Sequence, residues 1–274
     1  MRSQRISFTK MHGAGNDFIV FDNRTDLIDY DSFIQQIPLL CHRRYGIGAD
    51  GILILEADHR ASYRMIYRNA DGSDAGMCGN GGRCIALFST TIGYNSDHTF
   101  IAGSSIYRAG VSNNSVIIHF PVEAQVRIAE GSADGKLYQV YTGTEHVVLE
   151  ATPGLLESDS ELITLGRKLR NAPAFKPAGT NVNFMSVTGD KRIRLRTYER
   201  GVENLTLACG TGSIASALTA HSLSDDKTAR DLYSVECDGG ELEIGFNHNR
   251  ESGIYSQITL KGPAKIVFEG FIDI

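Results

Sequence analysis

A chain of 274 residues is long enough for one large domain or two of ordinary size, and 42% hydrophobic with 22% charged residues describes a globular fold. A net charge of −5, a pI near 5.9 and 27 scattered basic residues argue against a nucleic-acid groove, which needs clustered Lys and Arg. No apolar run approaches the length of a membrane span and the N-terminus lacks the apolar stretch of a secretory signal; the five cysteines, odd in number and without CxxC spacing, fit thiols rather than a disulfide framework, so a cytoplasmic protein with no membrane partner is expected.

Residues 6–8 start a strand that leads through Gly13-Ala14-Gly15, a tight turn, into a buried-type strand at 18–21. Asn16 stands at the junction, where local sequence reads it as a turn former bonding its own backbone. Asp31 and Ser32 are N-cap types, and Phe33, Ile34, Ile37, Leu40 and Cys41 form a stripe at helical spacing; Pro38 is expected to kink or restart that helix. Cys41 reads as a core thiol and His42-Arg43-Arg44 as cations suited to a helix C-terminus. The loop Gly46-Ile47-Gly48-Ala49-Asp50-Gly51 runs into a strand at 52–55, and with no helix start behind it, it is a poor anion cradle. A strand at 63–68 ends in the turn-rich Asn69-Ala70-Asp71-Gly72-Ser73-Asp74.

There the chain reads Cys78-Gly79-Asn80-Gly81-Gly82-Arg83-Cys84, opening a helix that should reach about Ile92 with Gly93 as its left-handed stop. Cys84 falls on another face of that helix and reads as core. From 99 to 148 strands follow one another, with turns at 103–105, 112–115 and 133–135. Thr144-Glu145-His146 precedes another strand, and 158–170 is an amphipathic helix. Gly179-Thr180-Asn181 before a strand echoes Gly15-Asn16. After a further strand comes Cys209-Gly210-Thr211-Gly212-Ser213, again opening a helix, and the remainder is β with a hairpin turn at Cys237-Asp238-Gly239-Gly240. The ordered echo points to an internal duplication, with one half over 1–122 and the other over 123–263.

Two cysteines at Gly-rich helix starts are chemistry more than coincidence. A helix N-terminus favours the reactive thiolate through its dipole and unpaired N–H groups. The glycines leave those N–H groups open to an anion such as a carboxylate. Two such helix starts acting on one substrate suit inversion at an amino-acid α-carbon: one thiolate removes the α-proton and the other thiol returns one to the opposite face. Glu199-Arg200, just before the second cysteine loop, is either a surface ion pair or a clamp on a zwitterion. No ligand set for a metal stands at usable spacing from either cysteine, and neither a P-loop nor a dinucleotide fingerprint is present, so no cofactor is expected. A racemase of another amino acid and, from a different class, a thiol module that binds metal or senses redox are the alternatives.

Taken together, residues 10–18 (KMHGAGNDF), 69–73 (NADGS), 78–84 (CGNGGRC), 179–184 (GTNVNF), 198–201 (YERG) and 208–212 (ACGTG) resemble the diaminopimelate epimerases, the pyridoxal-independent two-cysteine class. The resemblance implies an α+β fold of two pseudo-symmetric domains, each a mostly antiparallel sheet around a central helix, with the final strand at 264–274 crossing back to the first. It implies conversion of L,L- to meso-diaminopimelate in lysine and peptidoglycan precursor synthesis, without cofactor or metal, by a homodimer. Cys78 and Cys209 match the family's acid/base pair, and His146 and Glu199 match groups that tune it. Asn16, Asn69, Asn181, Glu199 and Arg200 match substrate-binding positions, and Gly79-Asn80 and Gly210-Thr211 match the carboxylate-holding loops, which turns Asn16 from a turn former into an expected substrate contact. The chain departs from the common pattern at Gly51, where many members carry Gln, and at Thr144-Glu145, where many carry Asn-Pro or Ser-Pro before the histidine.

Overall fold

The computed structural model describes residues 5–129, 136–225 and 228–273; the turn expected at 133–135 lies outside them. In chain order the elements are β1 (Arg5–Gly13), β2 (Asn16–Asp22), α1 (Tyr30–Cys41), β3 (Gly51–Glu56), β4 (Tyr63–Asn69), β5 (Asp74–Ala75), α2 (Gly79–Thr91), β6 (Asp97–Ala102), β7 (Ser105–Ser112) and β8 (Ser115–His119). There follow β9 (Arg127–Ile128), β10 (Leu137–Tyr141), β11 (Glu145–Glu150), α3 (Pro153–Leu156), α4 (Asp159–Arg170), β12 (Asn181–Gly189), β13 (Arg192–Glu199), β14 (Asn204–Thr206), α5 (Gly210–Leu223), β15 (Arg230–Cys237), β16 (Gly240–Asn249), β17 (Ile254–Pro263) and β18 (Lys265–Asp273). The chain divides into two compact units, Met1–His119 with Gly262–Ile274, and Phe120–Lys261.

The two units repeat one plan. In the first, β1 is antiparallel to β18 and β2, β2 parallel to β3, β3 antiparallel to β4, β4 parallel to β6, and β6–β7–β8 a meander. In the second, β10 is antiparallel to β9 and β11, β11 parallel to β12, β12 antiparallel to β13, β13 parallel to β15, and β15–β16–β17 a meander. Short β5 and β14 each pair back on the strand before the cysteine loop. The fold is therefore a duplicated α+β arrangement of mostly antiparallel sheets, and β18 takes beside β1 the place that β9 takes beside β10.

Each sheet packs one face on its central helix. From Gly79 to Ser89 every residue of α2 is buried, and α5 is buried from Gly212 to His221. A helix enclosed on all sides needs small or apolar residues all round, which is why α5 reads Gly, Ser, Ala and Thr without a polar face. Its hydroxyls turn back on their own helix: Ser213 and Thr219 donate to the carbonyls of Cys209 and Ala215 at 2.9 and 2.8 Å. The opposite faces carry the apolar layers. Ile19, Phe21, Ile52 and Ile54 pack with Phe33, Ile37 and Leu40 of α1 in the first unit, and Val147, Val182 and Phe184 with Leu156 and Leu162 of α3 and α4 in the second.

Two local expectations are corrected. Helix α1 starts two to three residues earlier than its Asp-Ser pair suggests, with Asp29 at the N-cap, and it runs through Pro38 without a restart. Pro38 stands one turn from the C-terminus and withdraws a single N–H donor, while Phe33, Ile37, Leu40 and Cys41 stay buried on both sides of it. The echo between Gly15-Asn16 and Gly179-Thr180-Asn181 is out of register. Phe18 pairs with Gly51, and Gly51 with Asn69. In the second unit His146 pairs with Asn181, and Val182 with Tyr198. Asn181 is thus the counterpart of Gly51, Glu199 of Asn69, His146 of Phe18 and Thr144 of Asn16.

Candidate active site

In the first unit Cys78 is the N-cap of α2, with extended backbone (φ −108°, ψ 121°), and its Sγ accepts the Gly81 N–H at 3.4 Å. The same sulfur lies 3.8 Å from Asn16 Oδ1, to which the thiol donates. The sulfur therefore has a donor that suits its thiolate form and an acceptor that suits its thiol form. Asn80, one residue before Gly81, donates from Nδ2 to Asn16 Oδ1 at 3.4 Å and accepts Arg83 at 2.7 Å. Arg83 is fully buried and also donates to the carbonyls of Gly79 and Pro263 at 3.1 and 3.3 Å. Asn69 closes the turn into the cysteine loop: its N–H bonds the Ser73 carbonyl and its Nδ2 the Ser73 hydroxyl, both at 3.0 Å.

Cys41 and Cys84 are inert by comparison. Both are buried. Burial pushes the Cys41 thiol up to about 11 and the Cys84 thiol further still, so each stays protonated at neutral pH.

In the second unit Cys209 holds the same place on α5 (φ −116°, ψ 110°) and is 7% exposed. Its Sγ lies 3.6 Å from the Thr211 hydroxyl, and Thr142 ties the Thr211 carbonyl to the β10 end at 3.2 Å. Beneath the first turn sits Asn183. Its Nδ2 donates to His146 Nδ1 at 3.1 Å and to the Val147 carbonyl at 2.9 Å, while its Oδ1 accepts the Thr197 hydroxyl at 3.0 Å. A Cβ at Gly212 would stand 2.3 Å from Asn183 Oδ1 and 3.2 Å from the Cys209 sulfur, so any side chain here would have to displace the hydrogen-bonded Asn183 amide.

His146 is enclosed and neutral. Because Nδ1 accepts from Asn183, the ring proton sits on Nε2 and is donated to the Thr144 hydroxyl at 2.9 Å. Burial, and secondarily the Arg200 charge, lower its pKa to about 3. Asn181 braces backbone on both sides: Nδ2 donates to the Glu145 carbonyl at 3.1 Å, and Oδ1 accepts the Arg200 N–H at 2.9 Å. The Arg200 guanidinium reaches the carbonyls of Ala178 and Gly179 at 3.2 and 3.4 Å. Glu199, the last residue of β13, pairs with Asn204 of β14.

The structure gathers Asn16, Asn80, Gly79 and Cys78 around one helix start, and Cys209, Gly210 and Thr211 around another; His146 reaches the second through Asn183, Asn181 pairs with His146, and Arg200, next to Glu199, bonds Asn181. Sequence reasoning passes over Asp50, Arg43, Arg83 and Asn183. Asp50 sits in a loop read only as a poor phosphate cradle, and Arg43 reads as a helix-end cation. Among the described residues no group of three or more His, Cys, Asp or Glu side chains is placed to hold a metal ion, and no helix is long and apolar enough to cross a membrane. A cavity of about 510 Å³ in the second unit, bordered by His248 and Tyr255, has neither cysteine among its lining residues, so the site is identified by its side-chain chemistry and not by cavity size.

The family profile described as diaminopimelate epimerase matches residues 8–120 and 138–267. A diaminopimelate epimerase of Chlorobaculum tepidum is 40% identical over 96% of this chain and all of that protein, and one of Flavobacterium psychrophilum is 37% identical over 95% and 97%. The chain belongs to the diaminopimelate epimerase family. Solved structures share the fold at low identity. A PhzF-family phenazine biosynthesis protein of Bacillus anthracis aligns with TM-score 0.77 at 14% identity over 99% of this chain and 100% of that one. A hydroxyproline epimerase of Agrobacterium vitis aligns with TM-score 0.68 at 16% identity over 98% and 93%.

The two departures from the diaminopimelate epimerase pattern have structural settings. At Gly51 a Cβ would meet the Arg68 carbonyl at 2.5 Å and the Tyr67 ring at 2.6 Å, so the Tyr67 ring, itself edge-on to Phe18, fills the space of a side chain. At 144–145 the proline of the common pattern gives way to Thr144, which caps His146, and to Glu145, whose carboxylate accepts the Gln139 amide at 3.4 Å.

Proposed function

We propose that the chain inverts one α-carbon of diaminopimelate, converting the L,L to the meso form, with Cys78 and Cys209 as exchanging base and acid. The observation that carries this reading is the pair of cysteine N-caps, set at equivalent places of a duplicated topology in a chain of the diaminopimelate epimerase family. The thiolate takes the α-proton and becomes a thiol, the carbon carries the electron pair, and the second thiol gives its proton to the opposite face and becomes a thiolate. Protons and charge balance, and running the step backwards exchanges the roles. The first-turn N–H groups of α2 and α5 hold the substrate carboxylate and stabilise the charge that spreads into it. Asn16, Asn69 and Asn181 bind the substrate with Glu199 and Arg200, and neutral His146 sets the polarity beside Cys209. The enzyme works in the cytoplasm as a homodimer without a cofactor, and it serves lysine and cell-wall precursor synthesis.

A second reading keeps the chemistry and changes the substrate to a shorter amino acid. It is favoured by Gly51 under Tyr67 and by Thr144-Glu145, all at places where the chain departs from the common pattern. A substrate panel followed by α-proton exchange decides between them. Exchange and inversion of diaminopimelate, with other amino acids inert, is the expected result. Racemisation of a shorter amino acid with diaminopimelate inert would transfer the assignment to the second reading.

A further inference from the structure

We propose that Asp50 is a positioning residue for the Cys78 thiol: its carboxylate fixes the Asn16 amide so that the carbonyl oxygen, and not the amide nitrogen, faces the sulfur. The inference rests on the two-cysteine reading for its role in turnover, but its geometry belongs to the first unit alone.

An amide has two chemically opposite ends, and a carboxylate can only accept hydrogen bonds. Asn16 Nδ2 donates to Asp50 Oδ2 at 2.7 Å, which turns Oδ1 toward Cys78 Sγ at 3.8 Å and Asn80 Nδ2 at 3.4 Å. The Asn80 amide is turned in the same way from the other side, because its Oδ1 must accept Arg83. Two charged groups thus aim two neutral amides at one point beside the thiol.

Asp50 is itself held by three neighbours, although its side chain is partly open to solvent. Its N–H donates to Asp17 Oδ1 at 3.1 Å, and the Asp17 N–H donates back to Asp50 Oδ2 at 3.2 Å, a reciprocal clamp between the starts of β2 and β3. Arg43 donates to both carboxylates, at 2.7 Å to Asp50 and 2.8 Å to Asp17. Lys10 reaches Asp17 at 2.6 Å and also donates to the Gly48 carbonyl. Burial alone would raise the Asp17 carboxyl, but bonds to Arg43 and Lys10 outweigh it and lower Asp17 to about 2, so Asp17 is ionised at neutral pH. The Arg43–Asp50 pair is largely exposed and worth little as an ion pair. Its consequence is orientation: it helps hold the Asp50 carboxylate in place, and that carboxylate takes the Asn16 amide nitrogen.

Orientation matters because the sulfur must exist in two protonation states. An oxygen beside it accepts the thiol proton; a nitrogen there would donate to the thiolate and hold it charged. Removing the acceptor that pins Asn16 should therefore raise the reactivity of Cys78 while lowering turnover. Iodoacetamide labelling of the full-length enzyme, read separately at Cys78 and Cys209, measures the first quantity and needs no substrate. In Asp50→Ala we expect the Cys78:Cys209 labelling ratio to rise about two- to tenfold, the worth of one net hydrogen bond. We expect turnover to fall about ten- to a hundredfold, the scale of misplacing a contact at a reacting centre. Asp50→Asn keeps an oxygen for Asn16 and should restore most of both. In an Asn16→Ala background, Asp50→Ala should leave the labelling ratio unchanged.

An unchanged ratio in Asp50→Ala overturns the proposal, as does a change that persists in the Asn16→Ala background. Faster labelling of both cysteines together, or failure of Asp50→Asn to restore either quantity, would make Asp50 a partner of Arg43 only. If the unaltered enzyme is inert toward diaminopimelate, the functional reading fails while the labelling ratio still reports the link from Asp50 to Cys78.

Discussion

At the scale of the residue, His146 shows how burial and two hydrogen bonds decide a side chain's chemistry. Unfolded, a histidine titrates near 6.5. Folded, burial lowers His146 to about 3, so the unfolded chain is the better proton acceptor. Its contribution to stability is complete above about pH 6.5 and is lost as pH falls toward 3, at up to about 1.4 kcal/mol per pH unit. His98, also lowered by burial, acts in the same direction, whereas Asp17 begins to matter only below its unfolded value of 3.8. Urea midpoints measured from pH 7.5 to 5 should therefore fall, and His146→Gln should flatten the fall; an identical slope in the variant would contradict a neutral, enclosed ring. Thr144→Val strands the Nε2–H and should cost about 1–3 kcal/mol in the same measurement. The cysteines were legible from the chain because a Cys-Gly helix start is a local signal. Asp50 and Asn183 were not, because strand pairing sets their partners: Asn183 meets residues 37 and 14 positions away, and Asp50 meets Asn16 at a separation of 34.

At the scale of the element, the two helix starts are built for close approach. Gly212→Ala would drive a methyl against Asn183 Oδ1, and we expect a loss of about 1–3 kcal/mol in urea unfolding together with reduced turnover. Gly154→Ala is the control: nothing lies within 4 Å of its Cβ position, it stands in the exposed first turn of α3, and the change should be neutral or stabilising by up to about 1 kcal/mol. Equal effects of the two changes would show that the Asn183 contact does not constrain α5. Helix α2 ends at Thr91 with Gly93 at φ +103°, as its sequence implies. Periodicity was less informative where context overrides it, as in α1, whose buried stripe carries Pro38 through the last turn. It also misaligned the echo, because a Gly-Asn pair fits the start of either of two parallel strands and only pairing register tells them apart.

At the scale of the whole molecule, duplication has kept the frame and changed the lining. On the sheet face against α2 the equivalent positions are Phe18, Leu53 and Tyr67; against α5 they are His146, Asn183 and Thr197. The same fold thus sets one cysteine over an apolar layer and the other over a hydrogen-bonded one. The sequence carried the repeat as twin phrases, and pairing along the strands turned those phrases into equivalent residues. The central claim is that both thiols move protons at one α-carbon. It is tested most directly by incubating L,L-diaminopimelate with the enzyme in deuterated water and following the label at the inverted carbon. The unaltered enzyme should give meso product carrying one deuterium at that carbon, and Cys78→Ala and Cys209→Ala should each slow inversion by about 10²- to 10⁴-fold or more. Product without deuterium, or full inversion by either single variant, would contradict the two-thiol mechanism.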